Sequence, residues 1–154
     1  MNNQQLIEHF YRSFATLDAE AMVACYHPEI TFSDPAFGSL TGKQAGDMWR
    51  MLIERSKGKL EVTFQNVQAG ETIGSADWIA RYVFSQTGRP VVNHIHAEFE
   101  VRDGKIIRHT DHFDLGKWAK QALGFKGWLV ALIPAFQQKL RQTARQSLKK
   151  WQSK

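Results

Sequence analysis

Residues 91–113 read VVNHIHAEFEVRDGKIIRHTDHF, and this stretch decides the fold class. Apolar side chains alternate with polar ones on both sides of Asp103-Gly104, and an Asp-Gly pair between two such segments is a strong signal for a β-hairpin. The alternation extends back to Lys59, so we predict four consecutive antiparallel strands up to residue 115. The apolar face of the last two strands is predicted to hold Val91, Ile95, Ala97, Phe99, Val101, Ile107, Phe113 and Leu115.

The residues before Lys59 have mainly helical periodicity. Two helices are predicted in the first 25 residues, with Asp18 as the N-cap of the second, followed by a short strand that Pro35 ends before a loop containing Gly38. A capping box at 41–44 predicts a further helix that closes at Gly58. Helices followed by a consecutive antiparallel sheet indicate an α+β fold, with the helices packed on one face of a curled sheet.

Charge divides the chain into two parts. Residues 1–116 hold all 15 acidic residues and eleven of the Lys and Arg, whereas residues 117–154 hold nine cations and no acid. We therefore predict an α+β domain over 1–116 and a basic amphipathic helical extension over 117–154. The apolar run 128–136 is about half the roughly 20 residues that cross a bilayer. We expect the extension to fold back on its own sheet or across a dimer, with contact to an anionic membrane as the alternative.

The N-terminus and the cysteine content bear on the compartment. A single cysteine, Cys25, excludes an intrachain disulfide, and residues 1–14 lack the charged start and apolar run of a secretory signal. We therefore expect a cytoplasmic protein.

Three titratable residues lie on strand faces that are otherwise apolar. Asp34 shares its face with Ile30 and Phe32, and His109 and Asp111 are i, i+2 neighbours on the last strand. A carboxyl group among apolar side chains has a raised pKa and can exchange protons with a nearby histidine. The alternative is structural: Asp34 caps the loop at Pro35, and His109 and Asp111 form a satisfied pair.

The opposite faces carry a competing arrangement. His94, His96 and His112 project from the outer side of the sheet and are candidate metal ligands. Glu98 and Glu100 continue the same register, which is typical of the polar side of an amphipathic strand, either solvated or in a dimer contact. We favour this interpretation and expect no metal. Glycine-rich phosphate loops, nucleophile elbows and zinc-type cysteine pairs are absent from the sequence, so we expect no cofactor either.

The order of predicted elements, with Phe32-Ser-Asp34-Pro35 and a capped helix carrying Trp49, resembles the nuclear transport factor two-like superfamily. Within it, the chain is most similar to the SnoaL-like (polyketide cyclase) and ketosteroid isomerase-like branch, over about residues 5–116. The resemblance implies a cone-shaped α+β fold. In it a curved antiparallel sheet and N-terminal helices enclose an apolar pocket, commonly in a homodimer.

Ketosteroid isomerase uses an aspartate base together with a tyrosine and a protonated aspartate that donate hydrogen bonds to the substrate oxygen. The resemblance places the base on Asp34, but the tyrosine position falls on Phe10 and the second aspartate position on Ala97. Tyr11 is one residue away, which is a rotation of about 100° on a helix, and we expect it to point elsewhere. Steroid isomerisation by that arrangement is therefore not expected.

We accordingly predict a cofactor-independent acid/base enzyme of the isomerase, cyclase, hydratase or dehydratase type. It would act on a small apolar carbonyl or hydroxyl compound, with Asp34 as general base, His109 as general acid or polariser, and Asp111 orienting His109 or acting as a second acid. The alternative is a non-catalytic ligand-binding or scaffold protein. We expect a homodimer and no nucleic-acid partner. The residues predicted to line the pocket are Phe10, Met48, Trp49, Trp78, Tyr82, Ala97, Phe99 and Phe113.

Overall fold

A computed structural model describes residues 1–154. The helices are α1 (Asn3–Ala15), α2 (Ala19–Ala24), α3 (Lys43–Ser56), α4 (Leu115–Leu123), α5 (Gly127–Leu132) and α6 (Pro134–Gln152), with a 3₁₀ turn at Gly124–Lys126. The strands are β1 (Tyr26–Asp34), β2 (Gly38–Thr41), β3 (Glu61–Ala69), β4 (Ile73–Phe84), β5 (Arg89–Arg102) and β6 (Lys105–His112). This is the predicted α+β architecture.

Two of the predicted helix starts can be compared with the structure. Asp18 is the N-cap of α2, as predicted, and its side chain accepts a hydrogen bond from the Ala21 N–H. The capping box predicted at Thr41 is wrong, because Thr41 ends β2 and Gly42 is the N-cap of α3 without a side-chain cap. Gln44 alone reaches back, accepting the Thr41 N–H at 3.4 Å.

All six strands form one curved, open sheet in the order β2-β1-β6-β5-β4-β3. Strands β3 to β6 pair consecutively and antiparallel, as predicted. The loop predicted around Gly38 is instead strand β2, which pairs antiparallel with β1 so that Gly38 lies opposite Asp34. Gly38 has a φ of +72°, a backbone conformation that favours glycine and reverses the chain here. The other edge of β1 pairs in parallel with β6, so the sheet is mixed.

A β-bulge in β6 decides which side chains face the helices. Glu100 lies opposite Arg108 and Val101 opposite Ile106, which leaves Ile107 as an extra residue. Fully buried Ile106, and not Ile107 as predicted, therefore shares the inner face with His109 and Asp111. Alternation resumes after the bulge, so His109 and Asp111 lie on the inner face, as predicted.

The chain leaves the sheet earlier than predicted. β6 ends at His112, and α4 begins at Leu115 with Asp114 as its N-cap, accepting the Lys117 N–H at 3.0 Å. Leu115 is thus helical instead of the end of a strand. The boundary predicted between residues 116 and 117 falls inside α4.

The C-terminal helix packs on the rest of the molecule. Leu148 of α6 is 2% exposed and belongs to the main core, and the Trp151 indole N–H donates to Glu54 of α3 at 2.6 Å. Arg145 donates to the carbonyls of Phe37 and Ser39, which flank the β1–β2 turn. The predicted folding back is therefore confirmed, onto α3 and this turn. No helix has the length and apolar character needed to cross a membrane.

Candidate active site

His109 lies at the centre of an aromatic cage on the inner face of the sheet. Its side chain is 0% exposed. Its ring centroid lies 4.5 Å from that of Phe99, 5.1 Å from Phe32, 5.5 Å from Phe10 and 6.0 Å from Trp49. Water is therefore excluded, so the polar atoms of the imidazole must find protein partners.

Both ring nitrogens have such partners. The Nε2 atom lies 2.9 Å from Asp111 Oδ1, and Nδ1 lies 2.8 Å from the Tyr26 hydroxyl. Trp49 Nε1 donates to the same hydroxyl at 2.8 Å, and Trp78 Nε1 donates to Asp111 Oδ1 at 3.3 Å.

The groups that can donate and those that can accept determine where the protons of this hydrogen-bond network lie. If the imidazole is neutral, the Tyr26 hydroxyl donates to Nδ1 and the Nε2–H donates to an ionised Asp111. A doubly protonated His109 would donate to Tyr26 as well, and the Tyr26 hydroxyl proton would then have no acceptor. The network is therefore satisfied by a neutral imidazole next to a charged carboxylate.

Tyr26 is the member of the network that sequence reasoning missed. It occupies an even-numbered position of β1, in phase with Ile30, Phe32 and Asp34, and this parity was the available signal. Burial raises the pKa of the Tyr26 hydroxyl well above its ordinary value. The hydroxyl therefore keeps its proton for His109.

Asp34 ends β1 and has two different carboxyl oxygens. Oδ1 accepts the backbone N–H groups of Ala36 at 2.9 Å and Phe37 at 2.6 Å, so the side chain does cap the turn at Pro35. Oδ2 has no hydrogen-bond partner in the protein. Burial raises the pKa of Asp34 from 3.8 to about 7, against the opposing effect of the two N–H donors. One oxygen thus holds the turn and the other is free for chemistry.

The sheet register places Asp34 beside Asp111. Phe32 pairs with His109 and Ser33 with Thr110 in the parallel β1–β6 ladder. Continued by one residue, this register brings Asp34 next to Asp111 on the inner face, since adjacent strands lie roughly 5 Å apart. The charge of Asp111 adds to the effect of burial in raising the pKa of Asp34. Asp34 therefore changes its protonation state near neutral pH.

The C-terminal helix reaches this pair through Arg141, whose Nε donates to the Pro35 carbonyl at 3.1 Å. Its positive charge lowers the pKa of Asp34. We expect Arg141→Gln to raise the Asp34 pKa further, because the neutral amide no longer favours the carboxylate. A ¹³C NMR titration of the carboxyl carbon measures the shift. Arg145→Gln, a matched loss of one cation at the far side of the same turn, should move it less, and an equal shift would contradict this assignment.

Most of the predicted pocket residues meet in the core. Phe10, Trp49 and Phe99 contact His109, Trp78 contacts Asp111, and Ala97 pairs with Asp111 in the β5–β6 ladder. Met48 is also buried in this cluster, and Phe113 is partly buried against it. Tyr82 is likewise partly buried against this core, and its hydroxyl accepts the Trp118 indole N–H of α4 at 2.6 Å.

Tyr11 is completely buried, but its contacts differ from those that Phe10 makes with Tyr26 and His109. Its ring stacks on Phe64 at 5.5 Å and lies 6.1 Å from Trp78. The apolar face of α1 is wide enough to bury Phe10 and Tyr11 together. The Tyr11 hydroxyl has no hydrogen-bond partner in the protein.

The three outer histidines line one groove on the outer face, and the rings of His96 and His112 stack with their centroids 6.4 Å apart. His96 Nδ1 pairs with Asp77 at 2.7 Å and His112 Nε2 with Glu98 at 3.3 Å, so two of the three imidazoles have a carboxylate partner. The structure contains no group of three or more His, Cys, Asp or Glu side chains placed to hold a metal ion. The outer face also carries a second groove of about 900 Å³ lined by residues of β3 to β6, among them Gln68, Ser75, Glu98 and Thr110.

Comparison with known proteins extends these observations. The family model of the SnoaL-like domain matches residues 7–109, and a search of the curated proteins found no match. A candidate polyketide cyclase from Xanthomonas campestris pv. campestris has a similar structure, with a TM-score of 0.62 and 22% identity over 76% of this chain and 93% of that one. An epoxide hydrolase of the LEH-like type from M. tuberculosis has a TM-score of 0.60 and 20% identity, covering 84% of this chain and 94% of its own.

A third solved structure is described as having the ketosteroid isomerase-like fold. This protein of Catenulispora acidiphila DSM 44928, in complex with trimethylamine, has a TM-score of 0.63 and 13% identity over 79% of this chain and 94% of its own. At these identities the structural likeness bears on the fold alone, whereas the family model covers most of the chain. The chain therefore belongs to the SnoaL-like domain family, and it shares its fold with a structure described as ketosteroid isomerase-like.

Proposed function

We propose that the protein is a cofactor-independent acid/base enzyme that acts on a small apolar carbonyl or hydroxyl compound. In the step assigned to Asp34, its free oxygen Oδ2 removes a proton from a carbon next to a carbonyl group. The observation that carries the proposal is the environment of Asp34, where burial and the neighbouring Asp111 raise the pKa to about 7. A base whose pKa lies near the working pH combines a useful ionised fraction with basicity.

The other members of the site support Asp34 in different ways. Asp111, fixed by the indole of Trp78 and the imidazole of His109, supplies the negative charge that makes Asp34 more basic. His109 has no free ring nitrogen, because Tyr26 and Asp111 occupy both. We therefore revise its predicted role as a general acid to that of a positioning residue for Asp111.

The surroundings of Asp34 favour an apolar substrate. Ala36 and Phe113 lie partly buried at the junction of the main core and a smaller cluster formed by α4 and α5. The solved relatives described as a candidate polyketide cyclase and as an epoxide hydrolase act on small organic molecules by those descriptions, which supports the same class of substrate here. The reaction within that class is left to experiment.

Hydrogen–deuterium exchange tests the proposal without knowledge of the substrate. A panel of cyclic ketones and 1,3-diketones in D₂O is followed by ¹H NMR, with and without the protein. We expect accelerated exchange next to the carbonyl for at least one compound, with a rate that rises through pH 7 as Asp34 ionises. Asp34→Asn is expected to lose about a hundredfold in rate, the usual contribution of a general base.

A surface variant and a binding measurement complete this test. Asp18→Asn changes a carboxyl group that caps α2 and should leave the exchange rate unaltered. Compounds that bind to the wild type and to Asp34→Asn with equal affinity and show no enhanced exchange would contradict catalysis. That outcome would favour the ligand-binding alternative, which is consistent with the aromatic side chains that fill the space around His109.

We further propose a homodimer in the cytoplasm, with the outer face of the sheet as the contact. This face carries His94, His96 and His112 alternating with the buried side chains of β5 and β6. Sedimentation velocity at micromolar concentration measures the state of association, and a monomer at all concentrations would contradict the proposal.

A further inference from the structure

The segment from Phe125 to Phe136 leaves its large apolar side chains in contact with solvent. Their exposed fractions are 88% for Phe125, 74% for Leu132, 52% for Trp128, 43% for Leu129, and 39% for both Ile133 and Phe136. The stripe of α6, by contrast, is used internally, since Ala144, Leu148 and Trp151 pack on the core. A run of exposed apolar residues of this length marks an interaction surface.

Close packing between α4 and α5 keeps the exposed side chains of residues 125–136 on the outside of the molecule. α5 lies so near α4 that a Cβ on Gly127 would stand 2.1 Å from the Ala119 carbonyl oxygen, and one on Gly116 would stand 3.0 Å from the Ala131 Cα. Val130, on the inward side of α5, is 5% exposed. The helix therefore has no room to rotate and bury Trp128 or Leu132.

Cations lie on the same helical segments as the exposed side chains, and one of them contacts these side chains directly. Lys120 places its ammonium 4.0 Å from the centroid of the Trp128 ring, and Lys117, Lys126 and Lys139 are exposed on the same three helical segments and their turn. The chain contains no acidic residue after Asp114. The surface thus combines aromatic and aliphatic side chains with a positive rim.

We propose that residues 125–136 dock on the surface of an anionic lipid bilayer. Phe125, Trp128 and Leu132 would lie at the boundary between headgroups and acyl chains, where tryptophan is favoured, and the lysines would contact the anionic headgroups. α5 has six residues, so this contact is interfacial and does not span the bilayer. A second copy of the chain fits less well, because an isologous contact would bring two lysine rims of the same charge together.

Vesicle binding of the full chain tests this proposal. Co-sedimentation is measured with vesicles of phosphatidylcholine alone and of phosphatidylcholine with phosphatidylglycerol at 3:1, at low and high salt. Acrylamide quenching of tryptophan fluorescence gives a second readout, since Trp128 is the tryptophan with more than half of its surface exposed. We expect salt-sensitive binding to the anionic vesicles and protection of Trp128 from the quencher.

Matched variants locate the contact. Phe125→Ser with Leu132→Ser should weaken binding roughly tenfold or more, because two inserted side chains are lost. Ile73→Ser with Val83→Ser removes two similarly exposed apolar residues elsewhere and should have little effect. Lys117→Gln with Lys126→Gln should weaken binding more than Lys149→Gln with Lys150→Gln at the far end of α6.

The remaining outcomes overturn the proposal. Absence of binding to anionic vesicles would do so, as would binding that the Ile73 and Val83 variant reduces as much as the Phe125 and Leu132 variant. Sedimentation velocity of the same proteins tests whether a second copy of the chain binds this surface instead. If Phe125→Ser with Leu132→Ser converts a dimer to a monomer and no form binds vesicles, the surface is a contact between copies of this chain.

Discussion

Asp34→Asn is expected to stabilise the protein above neutral pH, by as much as about 4 kcal/mol. The folded state holds the Asp34 proton up to about pH 7, whereas the unfolded chain releases it near 3.8. Between these values the unfolded state binds fewer protons, so the contribution of Asp34 to the free energy of unfolding falls as the pH rises. It is fully present below the unfolded pKa and lost above pH 7. Each tenfold change in proton affinity corresponds to about 1.4 kcal/mol, which sets the upper limit.

Asparagine is a suitable replacement because its carbonyl oxygen still accepts the N–H groups of Ala36 and Phe37. The variant should therefore match the wild type near pH 4 and exceed it at pH 8.5, as measured by urea denaturation at both values. Asp103→Asn, in the exposed β5–β6 turn, serves as the control and should show no such divergence. A variant that is less stable at pH 8.5 would show that the ionised carboxylate is needed for the turn and has a structural role.

The two buried tyrosines are expected to respond in opposite ways to the same substitution. Tyr26→Phe leaves the Trp49 indole N–H and His109 Nδ1 without a partner, at 0–2% exposure for both residues. A buried polar group that loses its partner costs about 1–3 kcal/mol, so the two groups together predict a loss of about 2–6 kcal/mol in the free energy of unfolding. Tyr11→Phe removes a hydroxyl that has no partner, and should be neutral or stabilising by about 1 kcal/mol.

Each tyrosine is therefore the control for the other, because the change in size is identical and both rings are fully packed. Chemical denaturation of the two variants at pH 7 measures the difference. Equal losses would mean that the Tyr26 hydroxyl contributes no more than ordinary packing, and would contradict the hydrogen-bond assignment around His109. A marked loss for Tyr11→Phe would point to a ligand or water molecule bound to its hydroxyl in solution.

Asp34 and the hydrogen-bonded residues beside it are expected to affect stability in opposite directions. Burial disfavours the ionised carboxylate of Asp34. A gain of stability when such a residue is replaced indicates that it serves function and not stability. Tyr26, His109 and Asp111 are joined by hydrogen bonds, so replacing any of them should lower the free energy of unfolding. We expect Asp34 to lower the free energy of unfolding above neutral pH, and the hydrogen-bonded residues around it to raise this free energy. That combination fits acid/base chemistry better than a purely structural role.

Several features of this protein follow from the sequence alone. The alternation around Asp103-Gly104 predicts the β5–β6 hairpin, because side-chain direction in a strand has a period of two whatever the rest of the chain does. The same parity placed Asp34, His109 and Asp111 on the inner face. The resemblance carried by residues around Phe32 and Trp49 indicated the SnoaL-like branch, and the family model that matches residues 7–109 confirms it.

Other features depend on contacts between distant parts of the chain, which local periodicity does not contain. The hydrogen bond between Tyr26 and His109 joins residues 83 positions apart, and it exists because β1 pairs in parallel with β6. The bulge at Ile107 changes which residue faces the core, since register is set by the partner strand. The charges of the C-terminal extension were evident in its composition. Tertiary packing alone decided that α6 would bury Leu148 in the core while the side chains from Phe125 to Phe136 stayed outside, because an amphipathic stripe specifies a face and not the surface that covers it.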